Sequence, residues 1–381
     1  AIKDGRHDAK NPIFNWRKVV AQESVRHERW NANRNVLAWK FLTGVEYNDP
    51  EKFPYSAVID RKLGVKDAMA LLRLHEDYIG QDQELYHSKS EGICRTTSHD
   101  SIVYNLTADP TLTEAWKTLG RPCQSVFVPL YPLAGPAKGT AFTDPATATK
   151  EHFAGTPAMF DYRADFTPHS VFSASNNAID YLRGDELAKR TQLIQAEEDK
   201  FMKDRAAVTK KAAGLKGEER TKFLHDYNQK SYDHVLKIMQ AENARLMPNK
   251  VKILADVVKA DGDGTVDFAL LGAKGHEVLS ANMEATRAGM SANQLNSTRQ
   301  WKNFAPAEKM VYKDVNNDGI TDVVFTFKAK DVTKGAVAGA AMDLWLYTQI
   351  NGHRVTGFDV VPVENDKVKM NKGARDGKGL L

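Results

Sequence analysis

The spacing of apolar residues changes twice along the chain and divides it into three regions. Within residues 1–175, apolar side chains recur on one helical face over 64–78. Residues 92–109 and 123–133 are instead rich in β-branched and aromatic residues bounded by turn-forming ones. This pattern predicts a region that mixes helices with strands.

The second region, residues 170–246, consists of two long amphipathic segments with charged outer faces. Residues 212–218 contain two glycines and interrupt the apolar periodicity. The pattern predicts an antiparallel helical hairpin over about 176–246, packed on the first region.

The third region, residues 249–366, contains short alternating segments separated by Gly, Asp and Asn. This spacing predicts an all-β, sandwich-like domain, followed by a solvated tail over 367–381. We therefore predict an α+β protein with a boundary between residues 248 and 249.

Composition narrows the class of protein. The 381 residues are 42% hydrophobic and 27% charged, which is sufficient for folded cores. A net charge of +4 is too weak to indicate nucleic-acid binding. No apolar run is long enough to predict a membrane span. Because the first residue is Ala1 instead of Met, we expect a processed, truncated or partial chain.

Cys94 and Cys123 belong to no C-x-x-C motif. Both lie in strand-like segments, where they could form one disulfide or remain as two buried thiols. Motifs for zinc hydrolases, phosphate-binding loops, serine nucleophiles and haem attachment do not occur in the sequence.

The sequence DVNNDGITDVVFTF, residues 314–327, alternates oxygen-bearing side chains and then becomes strand-like. Gly319 stands where such a loop turns sharply. Phe325 replaces the glutamate of an EF-hand, so we predict a strand–loop–strand site for structural calcium instead of a sensor. The alternative is a turn without metal. The expected ligands are Asp314, Asn316, Asp318, the Ile320 carbonyl and Asp322.

A second acidic turn carries Asp261, Asp263 and Asp267, but it offers fewer ligands, so we favour a plain turn. Neither acidic loop has a His or another general-base candidate beside it in the sequence. Metal-assisted hydrolysis at these loops is therefore not expected.

The first two regions also resemble a known family. Several stretches occur in the family's order, namely NPIFNWRKVV, NRNVLAWKFL, KFPYSAVIDRKLGVKDAMALLRLHED, ICRTTSHDSIVYNL, GRPCQSVFVPLYPLAG, HSVFSASNNAIDYL and FLHDYNQKSYDHVLKIMQ. Together they resemble the second half of the cysteine dipeptidases, which are N-terminal-nucleophile hydrolases. The resemblance implies a partial αββα sandwich over residues 1–248.

In that family the nucleophile is the N-terminal Cys of the mature chain, whose own amino group serves as the base. This chain begins with Ala1, so the resemblance implies that the Cys lies on a separate or missing fragment. Arg95 matches an arginine of the family's ICR strand, which implies that it orients a substrate carboxylate. The alternative is an arginine paired with a neighbouring carboxylate. His99 either flanks the same cleft or is a structural strand histidine.

Residues 249–366 resemble the small calcium-loop β domains at the ends of secreted bacterial proteins, although residues 335–345 are less polar than usual. This resemblance implies a non-catalytic module and an extracellular or periplasmic location.

Two functions follow from these resemblances. The chain is either the C-terminal part of a secreted dipeptidase that hydrolyses short peptides, or a catalytically inactive subunit of an extracellular assembly. The partner is a Cys-bearing fragment in the first case and other protein subunits in the second.

Overall fold

The computed structural model describes residues 29–45, 56, 58–75, 92–94, 98, 100–137, 169–182, 184–261, 263–290, 304–334 and 340–365. The protein has the predicted mixed α+β composition, with helices and three β-sheets among these residues. It divides into two compact units, Ala1–Arg95 and Thr96–Leu381. Among the described helices, none has the length and apolar character needed to span a membrane.

In the first unit, helices α1 (Arg29–Thr43) and α2 (Val65–Leu72) are described. Asp67 accepts a hydrogen bond from the Gly64 amide at 2.8 Å, at the beginning of α2. This bond satisfies an amide at the helix N-terminus and places negative charge near the positive end of the helix dipole. The contact therefore defines where α2 begins.

The second unit opens with a three-stranded antiparallel sheet. Its strands are β1 (Asp100–Asn105), β2 (Glu114–Leu119) and β3 (Val128–Leu130), in the spatial order β1-β2-β3. Trp116, at the centre of β2, is fully buried. The sheet is therefore anchored in a core through its central strand.

Three helices follow this sheet: α3 (His169–Leu182), α4 (Asp185–Gly214) and α5 (Gly217–Leu246). The two long helices of the predicted hairpin are present as α4 and α5, and the break between them is only two residues long. The predicted first helix is divided, however: α3 ends at Leu182 and α4 begins at Asp185, after Gly184 with a φ angle of 56°. Asn228 of α5 is buried and bonds the backbone of Tyr131 through both groups of its amide, at 2.8 and 3.0 Å. The hairpin is thereby tied to the segment that follows β3.

Two further sheets make up the remainder of the unit. One has the order β4-β6-β10-β9, and the other has the order β5-β12-β11-β7-β8. All neighbouring pairs are antiparallel except β5 with β12. The strands are β4 (Val251–Ile253), β5 (Val258–Lys259), β6 (Thr265–Leu270), β7 (Arg287–Met290), β8 (Ala305–Pro306), β9 (Lys309–Lys313), β10 (Asp322–Lys328), β11 (Ala340–Ile350) and β12 (His353–Glu364).

These two sheets share one hydrophobic core, as expected for a sandwich. Alternate residues of β10, Val323, Phe325 and Phe327, are fully buried in it. The alternation of apolar residues that predicted β10 therefore also identifies which face of the strand packs in the core. A one-turn helix, α6 (Ala329–Val332), follows β10 and closes one end of the core.

The opposite face of the five-stranded sheet packs on α3. Trp345 of β11 stacks on Phe358 of β12 at 4.8 Å between ring centroids, and the rings of Tyr347 and Tyr181 lie 4.7 Å apart. The Tyr181 hydroxyl donates a hydrogen bond to the Thr348 carbonyl at 2.6 Å. The predicted boundary between residues 248 and 249 thus falls inside one compact unit with a shared aromatic interface.

Candidate functional site

The predicted calcium loop joins β9 to β10, so its strand–loop–strand setting is as predicted. Asn317 and Gly319 have φ angles of 59° and 82°, which fold the loop back on itself. The Asp314 carboxylate accepts hydrogen bonds from the amides of Asp318 at 3.2 Å and Gly319 at 2.9 Å. Asp318 in turn accepts one from the Ile320 amide at 2.8 Å.

These bonds have an electrostatic consequence. The hydrogen bond from the Gly319 amide, supported by other loop amides, holds the pKa of Asp314 below its usual value. Asp314 therefore carries its negative charge throughout the neutral range. The loop therefore presents exposed anionic oxygens, and its residues 314–322 include no lysine or arginine that would neutralise them.

Asp322 occupies a different environment from the other predicted ligands. It is fully buried, and its two carboxylate oxygens accept hydrogen bonds from the Gly272 and Val315 amides, both at 2.8 Å. The side chain thus joins the end of the loop to the segment that follows β6. This role depends on Gly272, which is fifty positions away in the sequence.

The donor set fits calcium, which prefers hard oxygen ligands in loops of this kind. The exposed carboxylates of Asp314 and Asp318 and the amide oxygen of Asn316 belong to one tight loop. Each oxygen of Asp322 has a second lone pair beyond the one that accepts a backbone amide. Asp322 would therefore hold the loop in place, and its carboxylate would keep lone pairs with which to bind the ion.

The second acidic turn distributes its side chains among separate partners. Asp263 pairs with Lys330 at 2.7 Å, and Asp267 accepts a hydrogen bond from the Thr326 hydroxyl at 2.6 Å. The carboxylates of Asp263 and Asp267 thus have protein partners on different elements.

Arg95 and His99, the two residues suggested by the family resemblance, lie outside the described residues. Cys94 and Cys123 are not joined in a disulfide; Cys94 is buried and Cys123 is partly buried. Within the first unit, the Cys94 thiol and a ring nitrogen of His75 lie within 4.8 Å of each other. Neither residue was singled out as a site from the sequence.

A buried polar cluster in the second unit is the feature that the sequence patterns missed. It joins the turn after β2 to one face of α3. Arg121 is 1% exposed, forms an ion pair with Asp180 and donates to the Asn177 amide oxygen at 2.8 Å. The Gln124 amide donates to Asp180 at 2.8 Å, so this carboxylate is shared by two donors of the turn.

Gly120 allows this close approach of turn and helix. Its φ angle is 129°, and a Cβ atom there would lie 2.6 Å from Nδ2 of Asn176 and 2.9 Å from Oγ of Ser125. Asn176 and Ser125 are themselves hydrogen-bonded at 3.2 Å. Only glycine is compatible with this backbone conformation and spacing.

Two amide oxygens of the cluster, Oε1 of Gln124 and Oδ1 of Asn176, are buried and accept no hydrogen bond from the described residues. Buried acceptors are normally satisfied by a donor. The cluster therefore contains two features: the charges of Arg121 and Asp180 neutralise each other, and two buried amide oxygens are able to accept hydrogen bonds from a polar group.

The sequence contained the signals for this cluster in the segments GRPCQS, residues 120–125, and SNNAID, residues 175–180. Asn176, Asn177 and Asp180 recur at helical spacing and give α3 a polar face. However, no one-dimensional pattern indicates that this face meets a turn more than fifty residues earlier.

No protein-family model matches the chain, and no curated protein matches it.

Proposed function

We propose that this chain is the C-terminal part of a secreted cysteine dipeptidase, whose nucleophilic Cys lies on a separate or missing N-terminal fragment. The observation that carries the proposal is the antiparallel sheet β1-β2-β3 with helices α3 to α5 packed against it. This arrangement supplies one sheet layer and one helix layer. The companion fragment would supply the other two layers of an αββα sandwich.

The reaction would be amide hydrolysis in two steps. The Cys thiolate would attack the peptide carbonyl, while the α-amino group of the same Cys would accept the thiol proton and pass it to the leaving amine. Water would then hydrolyse the thioester, releasing the acid and restoring the thiol. Arg95 would hold the substrate carboxylate through its planar guanidinium.

The test is to purify the protein from its natural source and determine the N-terminal sequence of every polypeptide that accompanies this chain. We expect a companion that begins with Cys, and hydrolysis of dipeptides that a thiol alkylator abolishes. A complex with no Cys-initiated companion and no dipeptide hydrolysis would refute the proposal.

The chain's own thiols require a control. In a Cys94→Ala/Cys123→Ala variant assembled with the companion, hydrolysis and its inhibition by the alkylator should both persist, because the reactive thiol is on the other fragment. Loss of inhibition in this variant would instead assign the reactive thiol to this chain.

The second candidate function is that of an inactive subunit in an extracellular assembly. It is favoured by the internal pairing of the buried charges: Arg121 pairs with Asp180, and Arg190 lies 3.4 Å from Glu242. Paired charges of this kind hold elements together without leaving a charge for substrate. A purified complex that contains other subunits but lacks hydrolysis would support this function.

We also propose that the β9–β10 loop binds a structural calcium ion, consistent with an extracellular or periplasmic location. Calcium at one hundredfold excess over its dissociation constant would stabilise the fold by about 2.7 kcal/mol. We expect a chelator to lower the melting temperature and elemental analysis to detect one calcium per chain.

Asp314→Asn/Asp318→Asn is the matched variant for this calcium site, because both side chains are exposed and keep their shape. Its melting temperature should no longer respond to calcium or chelator. An equal response in the wild type and the variant would place the effect elsewhere.

A further inference from the structure

The edges of the three sheets differ in how well they are protected against pairing with another strand. Edge strands of soluble proteins are usually short, or carry lysine, proline or a bulge. The edge strands β3, β4, β5 and β8 have two or three residues, and β9 has a lysine at each end. These five edges follow the usual rule.

The edge strand β1 does not follow this rule. It has six residues, contains no lysine or proline, and pairs with β2 in an unbroken register from Asp100 to Asn105. No described residue pairs with its other edge. Ile102 is 39% exposed, Tyr104 is 58% exposed and, just beyond the strand, Leu106 is 78% exposed. These alternate positions share one face, so an exposed apolar row coincides with a backbone edge that no described residue pairs with.

We propose that β1 pairs antiparallel with β1 of a second copy of this chain, forming a continuous six-stranded sheet. A twofold axis through Val103 would place Ile102 of each copy opposite Tyr104 of the other. Ser101 would then face Asn105. Residues directly opposite each other share a face of the sheet, so this register joins the two apolar rows. The proposal does not depend on the hydrolase function.

The charges of the strand favour a second copy as the partner. The only charged residue of β1 is Asp100, and its carboxylate pairs with Lys117 at 2.8 Å in the same chain. In the twofold register, Asp100 would face Leu106 of the other copy. No like charges are therefore brought together, and no complementary charge on a different protein is required.

The contact involves one short strand from each copy. Such an interface is smaller than the roughly 1,200–2,000 Å² buried in stable complexes. The dimer should therefore be reversible and form only as the protein concentration rises.

Sedimentation velocity of the purified chain over a wide concentration range tests the proposal. We expect the dimer fraction to rise with concentration, and Tyr104→Lys to weaken dimerisation by at least about tenfold, because two lysines would enter the apolar row. Val311→Lys, on the protected edge β9, is the matched control and should leave dimerisation unchanged. Circular dichroism would check that both variants remain folded.

A chain that stays monomeric at every concentration would overturn the proposal, as would a dimer that Tyr104→Lys leaves intact. The register has its own test in a background of Cys94→Ala and Cys123→Ala. Mild oxidation of Ile102→Cys/Tyr104→Cys should link two chains, whereas the single variant Ile102→Cys should link them poorly, since in this register Ile102 does not face itself.

Discussion

At the scale of single residues, identical side chains serve different purposes because their surroundings differ. Asp314 and Asp318 lie on the surface of the β9–β10 loop, whereas Asp322, only four positions beyond Asp318, is fully buried and bonded to two backbone amides. A buried carboxylate without such donors would be strongly unfavourable. Asp322 thus ties the loop to a distant segment, a structural role that the exposed Asp314 and Asp318 do not share.

Asp322→Asn should destabilise the fold. The new amide group would turn an N–H toward the backbone N–H of Gly272 or Val315, leaving a buried donor unpaired, which costs roughly 1–3 kcal/mol. Urea unfolding in the presence of a chelator measures this cost under conditions in which no metal is bound to the loop. The exposed control Asp318→Asn should change the free energy of unfolding by less than about 0.5 kcal/mol. Equal effects at the two positions would contradict the assigned role of Asp322.

A second prediction concerns acid sensitivity at Glu197, where His234 on α5 lies 2.8 Å from the Glu197 carboxylate on α4 and Lys200 lies 2.6 Å from it. Burial raises the pKa of Glu197, but the hydrogen bonds from Lys200 and His234 outweigh burial and hold the pKa below its usual value. A lowered folded-state pKa means that the stabilisation is present above the unfolded pKa, near 4.5. It is lost as the pH falls through the folded-state value.

Glu197→Gln should therefore unfold less steeply with acid below about pH 4.5 than the wild type. Denaturant unfolding at several pH values measures this difference. Glu218→Gln, an exposed position near the start of α5, should keep the wild-type slope. Identical acid profiles for Glu197→Gln and the wild type would show that Glu197 contributes nothing to the pH dependence.

At the scale of elements, turns determine how strands pair. The long hairpin β11–β12 is closed by Asn351 and Gly352, with φ angles of 50° and 76°. These angles match a type I′ turn, whose twist agrees with that of the flanking strands. The Asn-Gly pair is a strong hairpin signal in a sequence, and it sets the register of eleven residue pairs.

Gly352→Ala should destabilise the hairpin by roughly 1–2 kcal/mol, because an L-residue is strained in the left-handed region. Gly214→Ala is the opposite case, since Gly214 ends α4 without a positive φ angle and its Cβ would meet no atom within 4 Å. It should be neutral or stabilise by up to about 1 kcal/mol. Thermal unfolding of both variants shows whether their stability changes have opposite signs. An equal loss of stability in Gly214→Ala would contradict the explanation by left-handed backbone strain at Gly352.

At the scale of the whole molecule, the β-sandwich is fused to the helical region through α3. One face of α3 carries Asn176, Asn177 and Asp180 toward the Arg121 cluster, while Ala178 and Tyr181 pack on the aromatic face of the five-stranded sheet. The same helix therefore connects the polar cluster to the β-sandwich, so the β-sandwich is packed against the helical region and is not a separate appendage.

Trp345→Ala should destabilise the second unit by about 3–5 kcal/mol, because a fully buried indole is removed from the interface with α3. Loss of protease resistance should extend to α3 itself, which limited proteolysis with peptide mapping can detect. Leu279→Ala, at a side chain that is 60% exposed, is the control and should leave the digestion pattern unchanged. Digestion confined to the β-sandwich in Trp345→Ala would indicate that the two regions unfold independently.

The local features of the fold were predictable because they depend on neighbouring residues. Helical periodicity identified α4 and α5, and alternation identified β9 and β10 on either side of the acidic loop. The candidate calcium ligands Asp314, Asn316 and Asp318 could be predicted for the same reason, since one short loop contains all three.

The sequence by itself thus determined the long helices α4 and α5, the strands β9 and β10 and the acidic loop between them, because hydrogen bonds along a helix and side-chain alternation along a strand are local properties. It did not indicate β2 (Glu114–Leu119), whose segment has the composition of a turn. Only the tertiary structure decided that Asp322 is a buried structural residue, that Arg121 meets Asp180, and that no described residue pairs with the outer edge of β1. These features depend on residues that are distant in the sequence, and hydrophobic burial brings such residues together without any fixed spacing.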